Sequence, residues 1–175
     1  NADPPLIAAS MPRDVAFLAK ESLFRGPVVS YIFRSFGMYP VSQTQANYSS
    51  TKWAFTILDQ NQSLCIFPES KRNINGMQKG ALGAAFLAIK TNAPILPVGI
   101  TGSENIGSIL RIPFPFCKIA VRIGEPFRLP AQDSNPSKVQ LRELTDMMMR
   151  RVSQLLPEGY RGYYKLSQDK ITDQV

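Results

Sequence analysis

Short apolar segments of strand type alternate with helical segments along this chain of 175 residues, and this alternation restricts the fold more than any other feature. Strands separated by helices pair mainly in parallel, and the helices cover the sheet. We therefore predict an α/β fold: a three-layer domain with a largely parallel or mixed sheet flanked by helices. The predicted strands span residues 15–19, 38–41, 64–67, 95–100 and 119–123, with the 64–67 strand central, and predicted helices span 3–9, 27–36, 50–58 and 79–91.

Residue types at the predicted helix boundaries support these assignments. Asp3 followed by proline suits a helix start, and Ser50 is expected to cap the third helix. Asn135 and Pro136 are expected to open the last helix. That helix carries a core-facing stripe of Leu141, Leu144, Met148, Val152 and Leu155. Because we see no repeat or linker, we predict a single domain over 1–175, cut short at its N-terminus, with 157–175 as a C-terminal tail.

Composition narrows the class of protein. Hydrophobic residues make up 44% and charged residues 19%, which is typical of a globular protein. A net charge of +7 attracts phosphate groups, anionic lipids and nucleic acid alike, so charge alone does not choose among them. The sequence has no histidine, which excludes Ser-His-Asp and Cys-His catalytic systems within these residues. Its longest apolar runs are shorter than the roughly 20 residues that span a bilayer.

One loop combines the features of an anion site. The apolar 64–67 strand ends at Pro68, and a polar loop with Glu69 and Arg72 then runs to the helix predicted from Lys79. Ligands of α/β proteins bind where such strands end. The unpaired N–H groups and the dipole of a helix N-terminus favour negative charge. The sequence therefore predicts a phosphate site in this loop.

The same loop carries a resemblance to a known family. Residues 67–73, FPESKRN, resemble the FPEGTRS block of the glycerophospholipid acyltransferases, in particular the lysophosphatidic acid acyltransferases. Residues 79–81, KGA, resemble the family's KxGA helix start, and residues 95–98, ILPV, resemble its (I/V)VPV strand. Residues 12–24 and 37–41 resemble two upstream blocks. The resemblance implies the glycerol-3-phosphate acyltransferase-like version of the α/β fold.

The family's activity is the transfer of a fatty acyl group from a coenzyme A or carrier-protein thioester to a lysophospholipid hydroxyl. The resemblance implies 1-acylglycerol 3-phosphate as acceptor and phosphatidic acid as product. It also implies an HxxxxD motif: if Asp3 is its aspartate, the histidine falls three residues ahead of Asn1, and the fragment is inactive without it. No cofactor and no metal are expected. The expected partners are the acceptor, the thioester donor and the cytoplasmic face of a membrane, with no nucleic acid.

The resemblance also assigns roles to individual residues. It implies that Asp3 and Glu69 are catalytic, although Asp3 also reads as a plain helix cap. The residues that it places at the substrate are Arg72, Lys71, Ser70, Lys79 and Gln43. Arg72 matches the motif arginine, whose planar fork suits phosphate oxygens.

Two departures from the family pattern leave an alternative open. Ser70 stands where the motif has glycine, and Gln43 stands where the second block ends in arginine. A neutral amide loses the charge-assisted part of a phosphate contact, which puts the acceptor in doubt. The alternative function is a catalytically inactive phospholipid-binding domain of the same fold.

Overall fold

The computed structural model describes residues 3–20, 24, 26–35, 37–41, 48–69, 76–106, 117–130 and 136–165. The helices are α1 (Asp3–Ser10), α2 (Pro27–Ser35), α3 (Tyr48–Asp59), α4 (Gly83–Thr91) and α5 (Lys138–Gln154). The strands are β1 (Val15–Lys20), β2 (Met38–Val41), β3 (Ser63–Cys65), β4 (Val98–Thr101) and β5 (Ala120–Ile123). Short 3-10 helices span Ser103–Ile106, Glu158–Tyr160 and Gly162–Tyr164.

Two sheets form the β structure of the described residues. β1 lies between β2 and β3 and pairs in parallel with both, with Phe17 opposite Met38 on one side and Cys65 on the other. β4 and β5 form a separate antiparallel pair, which a bridge between Ile95 and Phe127 extends. Helices pack against both sets of strands. The predicted α/β fold class with parallel pairing is confirmed, and the β structure is mixed overall.

The predicted position of the third strand is wrong in two respects. β3 covers only Ser63–Cys65, and it lies at the edge of the described three-stranded sheet, whereas β1 is central. The last residue of β3 that pairs is Cys65, opposite Phe17, although β1 itself continues to Lys20. Pro68, which has no N–H to donate, then prevents the strand from resuming.

The predicted starts of three helices also need correction. α3 begins at Tyr48, so Ser50 lies buried inside its first turn and is not its cap. α5 begins at Lys138, and a capping box between Ser137 and Gln140 precedes it, so Pro136 lies just outside. α4 begins at Gly83 instead of Lys79. Gly80 and Ala81, which precede the helix, form hydrogen bonds with distant parts of the chain.

The buried core of the C-terminal half is built around α5. One cluster contains Met77, Met149, Leu156 and Tyr164, and the other contains Ala85, Leu129, Leu144 and Met148. Of three successive methionines, Met148 and Met149 are buried and Met147 is exposed, as helical periodicity requires. In the described ranges, no helix combines the length and the apolar character needed to cross a bilayer.

Candidate functional site

Glu69 follows β3 at the end where parallel strands commonly present ligand-binding groups. Its carboxylate Oε2 accepts a hydrogen bond of 3.0 Å from the backbone N–H of Gln78. One residue earlier, the carbonyl of Pro68 accepts from the N–H of Ala81 at 2.9 Å. The two arms of the loop are therefore joined at Pro68 and at Glu69.

The environment of Glu69 changes its acidity. Burial raises the pKa of the Glu69 carboxyl above its ordinary value, and the hydrogen bond from the Gln78 N–H partly offsets this by favouring the charged form. A carboxyl group with a raised pKa at a strand end is a recognised mark of a functional site. The position and the acidity of Glu69 therefore both support a role in the chemistry of the loop.

The C-terminal segment packs against the returning arm of the loop. The N–H of Met77 donates to the carbonyl of Tyr160 at 2.8 Å, and the N–H of Tyr163 donates to the carbonyl of Met77 at 2.8 Å. The Tyr160 hydroxyl in turn donates to the Glu104 carboxylate, which lowers the pKa of Glu104 and raises that of Tyr160. Part of the segment predicted as a C-terminal tail therefore contacts the arm that holds Glu69. Residues 166–175 lie outside the described residues.

Lys79 occupies a different setting from the one predicted. It lies four residues ahead of α4, so the N–H groups of that helix terminus are not beside it. Its ammonium lies 5.7 Å from the centre of the Tyr163 ring, a cation–π distance, and the side chain is exposed. The lysine can still attract an anion as a free charge, but not as part of a helix N-terminus.

Asp3 is the first described residue and begins α1. Its Oδ1 atom is buried and accepts no hydrogen bond from the part of the chain that the structure describes. Buried carboxylate oxygens are normally hydrogen-bonded, so this atom has an open acceptor position. No hydrogen bond among the described residues joins Asp3 to Glu69.

The remaining predicted binding residues are Ser70, Lys71, Arg72 and Gln43, and all four lie outside the described residues. Their roles stay predictions. Among the predicted site residues, the described structure thus connects Glu69 to the arm that carries Lys79 and places Asp3 at the start of α1.

The two cysteines are free thiols, each partly buried. Burial raises the pKa of the Cys65 thiol on β3 to about 12, so this sulfur is protonated and unreactive at neutral pH. The Cys117 sulfur lies 3.7 Å from the carbonyl oxygen of Gly102. Within the described ranges, no three His, Cys, Asp or Glu side chains are grouped so that they could hold a metal ion.

Sequence reasoning missed three side chains that act on the loop: Arg142, Asp146 and Tyr164. Arg142 and Asp146 lie one turn apart on α5, beside the apolar stripe, and both are partly buried. A pair of opposite charges at this spacing so close to a core-facing stripe was the available signal. Tyr164 gave none, because its partners are distant in the sequence.

Comparisons with known proteins identify the family. The Acyltransferase family profile matches residues 1–101, and the chain belongs to this family. A 1-acyl-sn-glycerol-3-phosphate acyltransferase of Streptococcus pneumoniae (strain ATCC BAA-255 / R6) is 30% identical over 110 residues, which are 62% of this chain and 40% of that protein. A protein of the same name from Bacillus subtilis (strain 168) is 26% identical over 145 residues, 83% of this chain and 70% of that protein.

A solved structure resembles the fold. The crystal structure of the 1-acyl-sn-glycerophosphate (LPA) acyltransferase, PlsC, from Thermotoga maritima matches with a TM-score of 0.57 and 24% identity, over 85% of this chain and 60% of that one. The chain therefore spans 40% of the streptococcal relative and 60% of the solved structure. The predicted family is confirmed.

Proposed function

We propose that this protein transfers a fatty acyl group from an acyl thioester to the free hydroxyl of a lysophospholipid, with 1-acylglycerol 3-phosphate as the acceptor. The observation that supports this most strongly is the Glu69 carboxylate. It follows Phe-Pro at the end of β3, it has a raised pKa, and the Gln78 N–H orients it. Membership of the acyltransferase family supports the same reaction.

In the proposed reaction, an imidazole base removes the proton from the acceptor hydroxyl. The oxygen forms a bond to the thioester carbonyl carbon, the C–S bond breaks, and the thiolate leaves and takes up the proton from the imidazolium. Glu69 holds the glycerol part of the acceptor by accepting a hydrogen bond, which orients the attack. A general base of this kind contributes about 10²–10⁴-fold to the rate.

Asp3 is proposed to orient that imidazole. Its buried Oδ1 has an open acceptor position, which an imidazole N–H fits. The HxxxxD resemblance places the histidine three residues ahead of Asn1. α1 is joined to β1 by only four residues, 11–14. Asp3 is expected near Glu69 because the family resemblance places both residues in one active site.

The phosphate of the acceptor is proposed to bind the basic part of the loop. Arg72 is the main candidate because a guanidinium pairs with two phosphate oxygens at once. Lys71, Ser70 and Gln43 are proposed as further polar contacts, and the exposed Lys79 as a charge that attracts the anion. The net charge of +7 suits a phosphate-bearing donor and the cytoplasmic face of an anionic membrane.

The test is an acyl-transfer assay on the full-length protein. Release of free thiol from an acyl-coenzyme A or an acyl carrier protein is followed with lysophosphatidic acid, and then with lysolipids of other head groups. We expect the highest kcat/KM with lysophosphatidic acid. Arg72→Ala is expected to raise the acceptor KM markedly, whereas Arg150→Ala, at an exposed position on α5, is expected to leave it unchanged.

The assay also separates the alternative function. A protein that binds lysophosphatidic acid to vesicles but releases no thiol with any donor is a phospholipid-binding domain that has lost catalysis. A residue other than histidine at the position three ahead of Asn1 removes the proposed base. An acceptor KM that Arg72→Ala leaves at the wild-type value removes Arg72 from the phosphate site.

A further inference from the structure

The backbone of Gly80 is held on both sides by side chains from the C-terminal part of the chain. Its N–H donates to the hydroxyl oxygen of Tyr164 at 3.1 Å, and its carbonyl accepts from Nη1 of Arg142 at 2.6 Å. The two side chains meet at Asp146: the Tyr164 hydroxyl donates to Oδ1 at 2.8 Å, and Arg142 Nη1 lies 3.9 Å from the same oxygen. We call Arg142, Asp146 and Tyr164 the Gly80 clamp.

The Tyr164 hydroxyl both accepts and donates a hydrogen bond in the Gly80 clamp. The side chain is 5% exposed and packs with Met77, Met149 and Leu156. Its oxygen accepts from Gly80 while its proton goes to Asp146, and the bond to Asp146 needs the protonated hydroxyl. Burial raises the pKa of Tyr164 to about 12, and the adjacent Asp146 carboxylate adds to this, while the Gly80 N–H and Arg142 oppose it. The hydroxyl therefore keeps its proton over the physiological range.

The Gly80 clamp acts on the same stretch of backbone that orients Glu69. Gln78, which donates to the Glu69 carboxylate, is two residues before Gly80 and one after Met77. Met77 is bonded through its N–H and its carbonyl to the backbone of Tyr160 and Tyr163. Gln78 is therefore held between two anchored residues, and a movement of Gly80 changes the direction of its N–H.

A purely structural role does not account for where these polar bonds go. A buried tyrosine that only fills space needs one partner for its hydroxyl. Here two polar side chains, Arg142 and Tyr164, bond to the carbonyl and the N–H of one glycine, 62 and 84 residues away in the sequence, and both also face Asp146. Burying such groups is costly, so each needs its partners in place. The arrangement holds the loop in one position.

We propose that Tyr164, oriented by Asp146 and Arg142, is a positioning residue that sets the direction of the Glu69 carboxylate. The expected loss of turnover rests on the proposed acyl transfer. The expected change in the orientation and pKa of Glu69 does not depend on it. Within the described residues, the influences on the Glu69 carboxyl are its burial and the Gln78 N–H. Ser70, Lys71 and Arg72 follow it, outside the described residues.

The test compares Tyr164→Phe with Tyr163→Phe in the full-length protein. Tyr163 is the adjacent residue, its side chain is exposed, and its hydroxyl makes no hydrogen bond within the described residues. The first readout is the pKa of Glu69, measured by an NMR titration of its side-chain carboxyl carbon. We expect Tyr164→Phe to raise this pKa above the wild-type value, because the bond from Gln78 that favours the charged form is weakened. Tyr163→Phe is expected to leave it unchanged.

The second readout is turnover. A misplacement of about 1 Å can cost about 10²-fold in rate, so we expect kcat to fall about 10- to 100-fold in Tyr164→Phe, with a smaller change in the donor KM. A Glu69 pKa that is the same in both variants overturns the proposal, even if Tyr164→Phe lowers the melting temperature. If Tyr164→Phe does not fold, Asp146→Asn is measured instead, since it keeps an acceptor for Tyr164 but loses the charge facing Arg142. If the wild-type protein transfers no acyl group, the proposed function fails, and the pKa comparison still decides the positioning role.

Discussion

Gly76 and Gly162 lie backbone against backbone, and a Cβ added at Gly76 would lie 2.8 Å from the nitrogen of Gly162. Gly76 also has a φ of +96°, in the region that side chains of L residues disfavour. At this contact the C-terminal segment 160–163 packs against the arm that carries Gln78. Only a residue without a side chain fits at Gly76.

Gly76→Ala is therefore expected to destabilise the protein by about 1–3 kcal/mol, since it adds backbone strain to a steric overlap. Urea unfolding followed by circular dichroism measures the change. Gly83→Ala is the matched control, because its Cβ would meet nothing within 4 Å and alanine suits the first turn of α4. Gly83→Ala is expected to leave the free energy of unfolding unchanged or to raise it by up to about 1 kcal/mol. Equal stability of the two variants would contradict the packing.

Glu69→Gln is expected to stabilise the protein at neutral pH while lowering its activity. The pKa of Glu69 is raised in the folded state, so protonation of this carboxyl stabilises the folded protein. This contribution to the free energy of unfolding is complete below the ordinary pKa of 4.5 and is lost as the pH rises through the raised pKa. Glutamine keeps an oxygen that can accept from Gln78 but carries no charge to desolvate. Thermal unfolding from about pH 4 to pH 8 should show the advantage of the variant growing with pH. An advantage that is independent of pH would contradict this.

Asp3→Asn is expected to lower kcat by about 10²–10⁴-fold, because an amide cannot stabilise a charged imidazole or fix its tautomer. The acyl-transfer assay on the full-length protein measures this. Asp14→Asn, at an exposed position before β1, is the control and should retain full activity. If Asp3→Asn loses stability but not kcat, Asp3 is a helix residue and not part of the catalytic system.

Met149→Ala is expected to cost about 2–5 kcal/mol of unfolding free energy, since Met149 is 1% exposed and packs with Met77 and Tyr164. Met147→Ala removes the same number of atoms two residues away, where the side chain is 41% exposed. Its effect should stay within about 0.5 kcal/mol. Chemical denaturation of both variants measures the difference, and similar values would show that α5 is rotated from the described position.

The positions of several strands and helices could be predicted from the sequence, because they depend on the local spacing of apolar residues and on nearby turn-forming residues. The positions of β1, β2 and α2 follow from short apolar segments, with Gly26 and Pro27 at the start of α2 and Gly37 between α2 and β2. The structure has all three within one residue of the predicted ends. The order of strands could not be predicted in this way. Whether β1 or β3 is central depends on which neighbour each strand finds after the chain has crossed over.

The start of α4 shows a second limit. Lys79, Ala81 and Leu82 have helix-compatible side chains, yet Gly80 between them bonds to Arg142 and Tyr164 instead of extending the helix. The spacing of apolar residues cannot show that distant hydrogen-bond partners will outweigh the local preference for helix. For the candidate site, the sequence predicted Glu69 and the loop, and that role stays a prediction, whereas the Gly80 clamp required the structure.

Cys65 has a practical consequence as a partly buried thiol on β3. Burial raises its pKa to about 12, and alkylating reagents react with the thiolate, so modification at neutral pH is expected to be slow. Exposure of β3 to solvent would lower this pKa towards the ordinary value of 9.0 and speed up the modification. The rate of alkylation therefore reports opening of the strand that precedes Glu69, without an attached label.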